Sequence, residues 1–493
     1  MKQGEVKMSQ PLCSWVMLFA LMALGWACGS DPAAPTPESQ SVDAMTPDSR
    51  MDASESDARS EAEAGVTEMV VVAADGSGDF RDLSGALGSG ASEIVVRAGE
   101  YRVSEAVVFS RPNVSVRGDD AATVRFVQTN DGADLFVVRA DDVTVSNVTL
   151  DTATVGQAAF VEAGANGVTL QDSVIRGGSS IFAIYFAGPV VAAGAETLDA
   201  FHAGELSRGN QLLRNQITSS FVGDSVAFAL QVEGVVRENT ITGGMLALYM
   251  LQDSLCVGNA IIDSPTDGIF ISLPSRDVTV SGNTVTNAFF SGMVVRPQVE
   301  HEAAGRELDS TGITIDGNTL DAQYFGITVD GTAGDPTQGR LRGLVLSANT
   351  IPMDDFAGIY LLRADEPRVV GNQISFVGSD VSRRGIEGRL AIADQISAAV
   401  YLALEVSGPT LEDNLFVREA AVVDARVMQN AVVLSESSVT GAVLRNNQFR
   451  RHGDAWVHSP CTDDFGERDN DGVYDLSGGS HTYEMNSCMD RLP

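Results

Sequence analysis

Aromatic side chains recur at one position of a repeating pattern in the middle of the sequence. They are Tyr185, Tyr249, Phe270, Tyr360 and Tyr401. Each lies two residues after a Gly or Ala that opens a short apolar run, as in "GIFIS" and "GIYLL". An aromatic ring offers a flat apolar face to a sugar ring, and Tyr adds a polar tip. The pattern therefore predicts a carbohydrate-binding face, with stacking that only stabilises the fold as the alternative.

Charged residues follow two of these runs and could do acid-base chemistry. Arg296 and Asp330 occupy the next outward-facing position in adjacent repeats, and Arg363 is nearby. An Arg beside a carboxylate can bind a uronic acid or position a proton donor. We take these three as candidate catalytic residues, against the alternative of an ordinary surface ion pair.

An acidic segment near the C-terminus, "ERDNDGVYD", resembles a calcium loop. Its candidate ligands are Glu467, Asp469, Asp471 and Asp475, at the alternating spacing that such loops use. A Glu stands in the usual first Asp position, and no bidentate Glu follows at the expected place. Ca²⁺ is the only cofactor that the sequence indicates, and a solvated acidic turn is the alternative.

The N-terminus has the features of an export signal. Lys2 and Lys7 precede an apolar run that ends at Cys28, and Leu24, Ala27 and Cys28 resemble a bacterial lipoprotein signal. We expect export and a lipid anchor on Cys28 at the outer membrane or cell surface, with a periplasmic or secreted protein as the alternative. In an exported protein, Cys461 and Cys488 are expected to form a disulfide.

Composition and charge limit the partners. The formal net charge is -34, and no Lys occurs after Lys7. Binding to nucleic acid or to an anionic membrane surface needs clustered cations, so we expect neither. We expect a monomer that meets the membrane only through its lipid. Residues 29–66 are rich in Asp, Glu, Ser, Pro and Ala without aromatic residues, which predicts a disordered acidic tether after a signal at 1–28.

A repeat built on Asn predicts the elements that hold these residues. An apolar side chain follows two residues after each of nine Asn residues: Asn215, Asn239, Asn259, Asn283, Asn318, Asn349, Asn372, Asn414 and Asn447. The tightest periods are 20 to 24 residues, and alternating runs such as "VTV" and "ITI" precede most of the Asn residues. Each period fits three short strands and three turns. We expect each Asn to take the left-handed backbone conformation of a bend and to hydrogen-bond to the Asn of the next coil.

These features resemble the right-handed parallel β-helix family of pectin-lyase-like proteins. The start of the repeat region, "VVVAADGSGDFRDLSGAL", is similar to the opening of those proteins, where a strand and a short helix close the first coil. We therefore predict an all-β fold of roughly a dozen three-strand coils over residues 67–458, with a short capping helix whose N-cap is Asp79. Residues 459–493 are predicted to be a disulfide-closed segment.

Long insertions border one row of strands, the row that carries the aromatic residues. Residues 187–208, 297–311 and 331–342 follow such strands, and residues 378–397 precede one. Loops around a rigid strand face commonly form binding sites, and the resemblance implies a substrate groove there. The catalytic motifs of polygalacturonases, pectin methylesterases and mannuronan epimerases are absent. The sequence thus predicts a glycan-binding protein that could be a polysaccharide lyase or glycoside hydrolase, with a non-catalytic structural or adhesive rod as the alternative.

Overall fold

The computed structural model describes residues 69–130, 132–152, 156–177, 182–188, 195–219, 223–298, 308–331, 339–353, 357–376, 398–418, 430–435, 438–451, 473–475 and 480–489. Two helices lie in these ranges, α1 at Leu83–Gly88 and α2 at Ala195–Ala203. Neither has the length and apolar character that a membrane-crossing helix needs.

Three long sheets contain nearly all of the described strands. Sheet 1 has 15 strands: Met69–Val72, Glu93–Val96, Val114–Gly118, Val143–Ser146, Thr169–Gln171, Gln211–Leu213, Val235–Arg237, Leu255–Val257, Thr279–Ser281, Thr314–Asp316, Val345–Ser347, Arg368–Val370, Thr410–Glu412, Val443–Arg445 and Thr482–Glu484. Sheet 2 has 14 strands: Gly99–Val103, Val124–Gln128, Thr149–Asp151, Val174–Gly177, Gln216–Ser219, Thr240–Thr242, Ala260–Ile262, Thr284–Ala288, Thr319–Ala322, Thr350–Met353, Gln373–Phe376, Leu415–Arg418, Gln448–Arg451 and Ser487–Met489. Sheet 3 has 13 strands: Val107–Phe109, Phe136–Val138, Ala159–Val161, Ile184–Phe186, Asp224–Ala229, Met245–Tyr249, Ile269–Leu273, Ser291–Pro297, Phe325–Asp330, Ala357–Leu362, Ala398–Ala403, Asn430–Leu434 and Val473–Asp475.

Short strands in the turn after sheet 3 form two further small sheets. One pairs Ser207–Arg208 with Gln231–Val232, and the other joins Ser310–Thr311, Leu341–Arg342 and Ala364–Asp365. These pairings continue the stacking of successive coils through a turn.

The order of the strands shows how the chain winds. The chain visits sheets 1, 2 and 3 in turn, and each strand pairs in parallel with its equivalent one coil later, as Thr279–Ser281 does with Thr314–Asp316. Connections between parallel strands are right-handed in nearly all proteins. The predicted fold class, a right-handed parallel β-helix, is confirmed. The strands between residues 473 and 489 extend all three sheets into the C-terminal segment.

The predicted column of Asn side chains is confirmed. Nδ2 of Asn283 donates to Oδ1 of Asn318 (3.0 Å), and the backbone N–H of Asn283 donates to the same oxygen (2.8 Å). The same pair of bonds links each Asn of the predicted series to the next, and Asn486 extends the column beyond Asn447. All nine predicted Asn residues are buried, so each bond satisfies groups that water cannot reach.

The predicted backbone conformation of these Asn residues was wrong. The residue before each Asn has the positive φ angle: Gly258 (67°), Gly282 (60°) and Gly317 (62°) precede Asn259, Asn283 and Asn318. The bend therefore turns at a residue that is often Gly, which has no steric penalty in the left-handed region. The Asn follows the bend with its side chain directed into the coil, where it reaches backbone carbonyls such as that of Cys256 (3.0 Å).

Apolar side chains from all three sheets form one continuous core inside the coils. Ile269 and Ile271 lie in it, as the alternating pattern predicts, while Phe270 between them belongs to a separate cluster on the outer face. Helix α1 closes the N-terminal end through Leu83 and Ala86. The N-cap is Asp82, which accepts from the N–H of Gly85 (2.7 Å), and not the predicted Asp79, whose carboxylate accepts from the N–H of Val71 (2.8 Å).

Replacing one Asn in the middle of the column should destabilise the protein strongly. In Asn283→Ala, Oδ1 of Asn318 and the backbone N–H of Asn259 each lose a hydrogen-bond partner in the core. An orphaned buried polar group costs about 1–3 kcal/mol, so we expect the free energy of unfolding to fall by at least about 2 kcal/mol. Urea unfolding measures the change. Asn130→Ala, at an exposed position, is the control and should stay within about 0.5 kcal/mol of the parent; equal losses in both variants would contradict the role of the column.

Candidate functional site

The outer face of sheet 3 carries the predicted site residues in two neighbouring columns. One column runs through Ala247, Phe270, Val294, Thr328, Tyr360 and Tyr401, which pair in successive coils. Tyr185 lies in the same column two coils before Ala247, since it pairs with Ala227 and Ala227 pairs with Ala247. The second column contains Tyr249, Ser272 and Arg296. The prediction that Tyr249 lies in the same column as the other aromatic residues was wrong. Ala247 pairs with Phe270 and not with Gly268, so Tyr249 lies two residues further along its strand than the pattern predicts. A shift of two residues keeps its side chain on the same face of the sheet.

Much of this outer face is covered. Phe270 and Val294 are buried, Ser272 is fully buried, and Tyr185, Tyr249, Tyr360 and Tyr401 are half-buried. Met245, Ala247, Phe270 and Val294 form an apolar cluster of their own, with Tyr249 packed against it. The face is therefore a partly shielded surface in which polar groups lose water.

Two carboxyl groups lie in this shielded region at the beginnings of sheet 3 strands. The hydroxyl of Tyr249 donates to Oδ2 of Asp224. Oδ1 of Asp267 accepts from the backbone N–H of Ser291 (3.0 Å), one coil further on. The guanidinium of Arg296 lies 5.8 Å from the ring centre of Phe270. We call Asp224, Tyr249, Asp267 and Arg296 the acid cluster.

The surroundings of the acid cluster change the proton affinity of its members. Loss of water raises the pKa of Asp224 to about 6; the hydrogen bond from Tyr249 lowers it, and the charge of Asp267 adds to the rise. The pKa of Asp267 is also raised to about 6 by loss of water, against the opposing effects of Arg296 and the Ser291 hydrogen bonds. The pKa of Tyr249 is raised well above its ordinary value by desolvation and then by the charge of Asp224. Two interacting carboxyl groups that titrate near neutrality are suited to giving and taking protons.

A β-bulge places Asp224 in the cluster. The pairing between the strands Asp224–Ala229 and Met245–Tyr249 shifts between Asp224 and Val226. Such a bulge re-aims a side chain at the end of a strand, here toward the hydroxyl of Tyr249 in the next coil. The sequence predictions did not include Asp224. Its only signal is an Asp shortly before an alternating apolar run, as Asp267 is before Ile269, and that signal is weak by itself.

The three predicted catalytic residues do not form one group. Asp330 binds Arg363 instead of Arg296: Nη1 of Arg363 lies 2.9 Å and 2.8 Å from the two carboxylate oxygens. The Arg363 side chain is only 9% exposed. The charge of Arg296 acts on Asp267 and lowers the pKa of that carboxyl, against the larger rise caused by loss of water. The structure thus places Arg296 in the acid cluster, while Asp330 and Arg363 form an ion pair that spans the next two coils.

Aromatic rings continue along sheet 3 beyond the acid cluster. Tyr360 and Tyr401 have ring centres 5.3 Å apart, and Phe325 is 5.6 Å from Tyr360. Phe290 and Tyr324 join them at the turn that precedes the strands, 5.7 Å apart. We call these five rings the aromatic row. At the other side of the acid cluster, Tyr185 stacks with Phe160 at 5.7 Å and 23°.

The insertions border sheet 3 as predicted, since three of them begin where strands of sheet 3 end. Helix α2, in the insertion at 187–208, packs Leu198 and Phe201 against Leu230 and Met250, which directly follow sheet 3 strands. Arg276 lies over the ring of Phe201, with its guanidinium carbon 5.0 Å from the ring centre. The described part of this insertion therefore forms a wall along the end of the outer face.

Other predicted sites fall wholly or partly outside the described residues. Cys28, Cys461 and the ligands Glu467, Asp469 and Asp471 lie outside them, while Asp475 and Cys488 are in the strands Val473–Asp475 and Ser487–Met489. The calcium loop, the lipid anchor and the disulfide stay predictions. Within the described ranges, no group of three or more His, Cys, Asp or Glu residues could hold a metal ion. Cys256 is a free buried thiol, and burial raises its pKa to about 12.

Comparisons with known proteins find structures of similar fold. No family model and no curated protein sequence matches the chain. The Dettilon tailspike protein is 12% identical, with 79% of this chain and 63% of the tailspike aligned at a TM-score of 0.46. The A-module of a mannuronan C-5 epimerase from Azotobacter vinelandii is 13% identical, with 83% and 93% aligned at 0.42. The catalytic unit of a thermostable α-1,3-glucanase from Streptomyces thermodiastaticus is 14% identical, with 82% and 65% aligned at 0.46.

This chain spans less than two thirds of the tailspike and glucanase structures. The chain is a right-handed parallel β-helix protein.

The raised pKa of Asp224 predicts a pH-dependent gain of stability in Asp224→Asn. Unfolding returns the carboxyl to an ordinary pKa near 3.8, so the unfolded chain ionises first, and the native state loses stability as the pH rises from below 4 through 6. An amide removes that loss and still accepts from Tyr249. We expect the Tm of the variant to exceed that of the parent at about pH 8 and to equal it at about pH 4.

Differential scanning fluorimetry at the two pH values measures this difference. Asp263→Asn is the matched control, because Asp263 is exposed and accepts from Nδ2 of Asn287 (2.7 Å) near the same face. A Tm for Asp224→Asn that falls equally at both pH values would contradict a desolvated carboxyl.

Proposed function

We propose that the outer face of sheet 3 binds an extended carbohydrate and that the acid cluster hydrolyses it. The observation that carries this proposal is the pair of desolvated carboxyl groups, each with a pKa near 6, on a face lined with aromatic rings. Glycoside hydrolysis commonly uses two carboxyl groups, one to protonate the leaving oxygen and one to act on the opposite side of the sugar.

The electrostatics of the cluster favour a division of roles. The charge of Arg296 favours the ionised form of Asp267, and that ionised carboxylate in turn raises the pKa of Asp224. Asp224 is therefore assigned as the general acid and Asp267 as the general base. Asp224 gives its proton to the glycosidic oxygen as the bond to the anomeric carbon breaks, while water attacks that carbon and loses a proton to Asp267. Tyr249 holds the Asp224 carboxyl in position through its hydroxyl.

The aromatic rings are assigned to substrate binding. Sheet 3 strands step along the coil axis by about 4.8 Å, so the acid cluster and the aromatic row occupy one line of about seven coils. Tyr185 lies at one side of the acid cluster, and Tyr360 and Tyr401 lie at the other. A glycan along this line would contact rings on both sides of the reacting bond, which supports a polymeric substrate.

The similar structures include an epimerase and a glucanase that are named for their action on carbohydrates. Export and tethering through Cys28 would place the site where extracellular polysaccharide is available. We retain the anchor as part of the proposal.

A non-catalytic structural or adhesive rod is the second candidate. It is favoured by the coverage of the outer face, where Ala227, Ala247 and Ser272 are fully buried, and by ring contacts that stabilise neighbouring coils. In the enzyme, Asp224 and Asp267 transfer protons during catalysis. In the rod, their raised pKa values have no catalytic role.

Turnover should depend on both carboxyl groups. We expect Asp224→Asn and Asp267→Asn each to lower kcat on a cleaved polysaccharide by about 10²-fold or more, because an amide neither gives nor takes the proton. Reducing-end release across a polysaccharide panel measures hydrolysis, and ultraviolet absorbance of unsaturated products identifies a lyase. Asp263→Asn should keep full activity. Absence of any product on the whole panel would favour the rod.

The aromatic row should contribute to binding more than to chemistry. We expect Tyr360→Ala and Tyr401→Ala each to raise the Kd for the polysaccharide by about two- to tenfold, the equivalent of about 0.5–1.5 kcal/mol of lost ring contact. Affinity electrophoresis or calorimetry on the Asp224→Asn background measures binding without turnover. Leu255→Ala, at an exposed apolar residue of sheet 1, is the control. Unchanged Kd values in both Tyr variants would show that the aromatic row does not take part in binding.

A further inference from the structure

Guanidinium groups on and beside the outer face of sheet 3 lie against carboxylates. Arg363 contacts both oxygens of Asp330 at 2.8–2.9 Å, with a side chain 9% exposed. The guanidinium of Arg296 lies 5.8 Å from the ring centre of Phe270, and its charge lowers the pKa of the nearby Asp267. An anionic sugar that used the guanidinium of Arg363 would have to compete with the carboxylate of Asp330.

The turn that follows sheet 3 has the same arrangement. Arg340 lies 3.5 Å from Asp365 and 3.9 Å from Glu405. Arg342 lies 3.3 Å from Asp309 and 3.7 Å from Asp365. These two cations share three carboxylates, so the described edge of the face has an excess of negative charge.

The charge of the whole chain acts in the same direction. The net charge is -34, and Arg is the only strongly basic residue after Lys7. A field of this sign repels a polyanion before contact and is screened over about 8 Å at physiological salt. A polyuronate or a sulfated glycan would therefore meet repulsion at long range and occupied guanidinium groups at short range.

We propose that the substrate of this face is a glycan of uncharged sugars, and that polyuronates and sulfated glycans are discriminated against. This inference rests on the proposed function and narrows its substrate class. The residue types of Arg296, Asp330 and Arg363 alone would instead indicate a site that binds a uronic acid. Recognition then depends on ring stacking and on hydrogen bonds to hydroxyl groups.

Linkage-matched polymers test this proposal directly. Polyuronates of α- and β-linked backbones are compared with the same polymers after chemical reduction of each carboxyl to a primary alcohol, which removes the charge and keeps the linkage. We expect binding and turnover by the full-length protein with at least one reduced polymer, and at least tenfold weaker binding of its uronate parent. Binding of the reduced form should change less than about twofold between about 50 mM and 300 mM NaCl, since no ion pair forms with the ligand.

A variant adds an independent measurement. Asp330→Asn keeps the side-chain shape and removes the carboxylate charge that Arg363 contacts. We expect it to bind the uronate parent at least fivefold more tightly than the unmodified protein does, with unchanged affinity for the reduced polymer. Asp263→Asn, which touches no guanidinium among the contacts described above, should alter neither affinity. Circular dichroism of each variant verifies that the coil is intact.

The outcomes separate the two proposals. If a uronate is bound or cleaved at least as well as its reduced form, and cleavage disappears in Asp224→Asn, the inference is overturned and the proposed function stands. If neither form of any polymer is bound or cleaved, and neutral glucans and galactans also fail, both are overturned. Cleavage of the uncharged polymers without cleavage of their uronate parents supports both the proposed function and the inference about its substrate.

Discussion

The hydrogen bond from one buried Asn side chain to the next is the interaction on which the structure depends. Each Asn spans two coils: its amide donates to the next Asn and to a backbone carbonyl, and its oxygen accepts from the preceding Asn. A single missing member would leave polar groups unpaired in the core, where water cannot replace the bond. Along the Asn column the bend between sheets 1 and 2 is therefore fixed in length and geometry, and the insertions at 187–208, 297–311 and 331–342 lie elsewhere in the coil.

This constraint explains why the candidate site lies on sheet 3. Because this corner is fixed along the Asn column, chain length varies there around sheet 3, so the insertions collect along its edges, and helix α2 packs there through Leu198 and Phe201. Stacking in register then places side chains from distant parts of the sequence about 4.8 Å apart. Asp224, Tyr249 and Asp267 are separated by 25 and 18 residues of sequence but lie in three successive coils. Partial coverage of the face removes water from the carboxyl groups and raises their pKa values, which gives a structural scaffold the electrostatics of an acid-base site.

The same regularity explains which sequence predictions were confirmed. The nine Asn residues, the inward Ile269 and Ile271 and the row bordered by insertions follow from periods of 2 and of about 22 residues, and such periods survive in the sequence because every coil must meet the same neighbours. Predictions that assigned a role to a single residue position were less accurate. The N-cap is Asp82 and not Asp79, and the positive φ angle belongs to Gly282 and not to Asn283, because local competition among adjacent polar residues decides those details.

The sequence alone determined the coil, its fixed corner and the face that carries aromatic and charged side chains, because those features are repeated and each repeat confirms the others. Only the tertiary structure decided which of those side chains meet. The bulge at Asp224 turns a carboxyl toward Tyr249, a two-residue shift moves Tyr249 into the column of Arg296, and Asp330 pairs with Arg363. Each of these features departs from the repeat and depends on packing between two particular coils. A repeat pattern describes what the coils have in common, so it cannot predict a feature that occurs in only one of them.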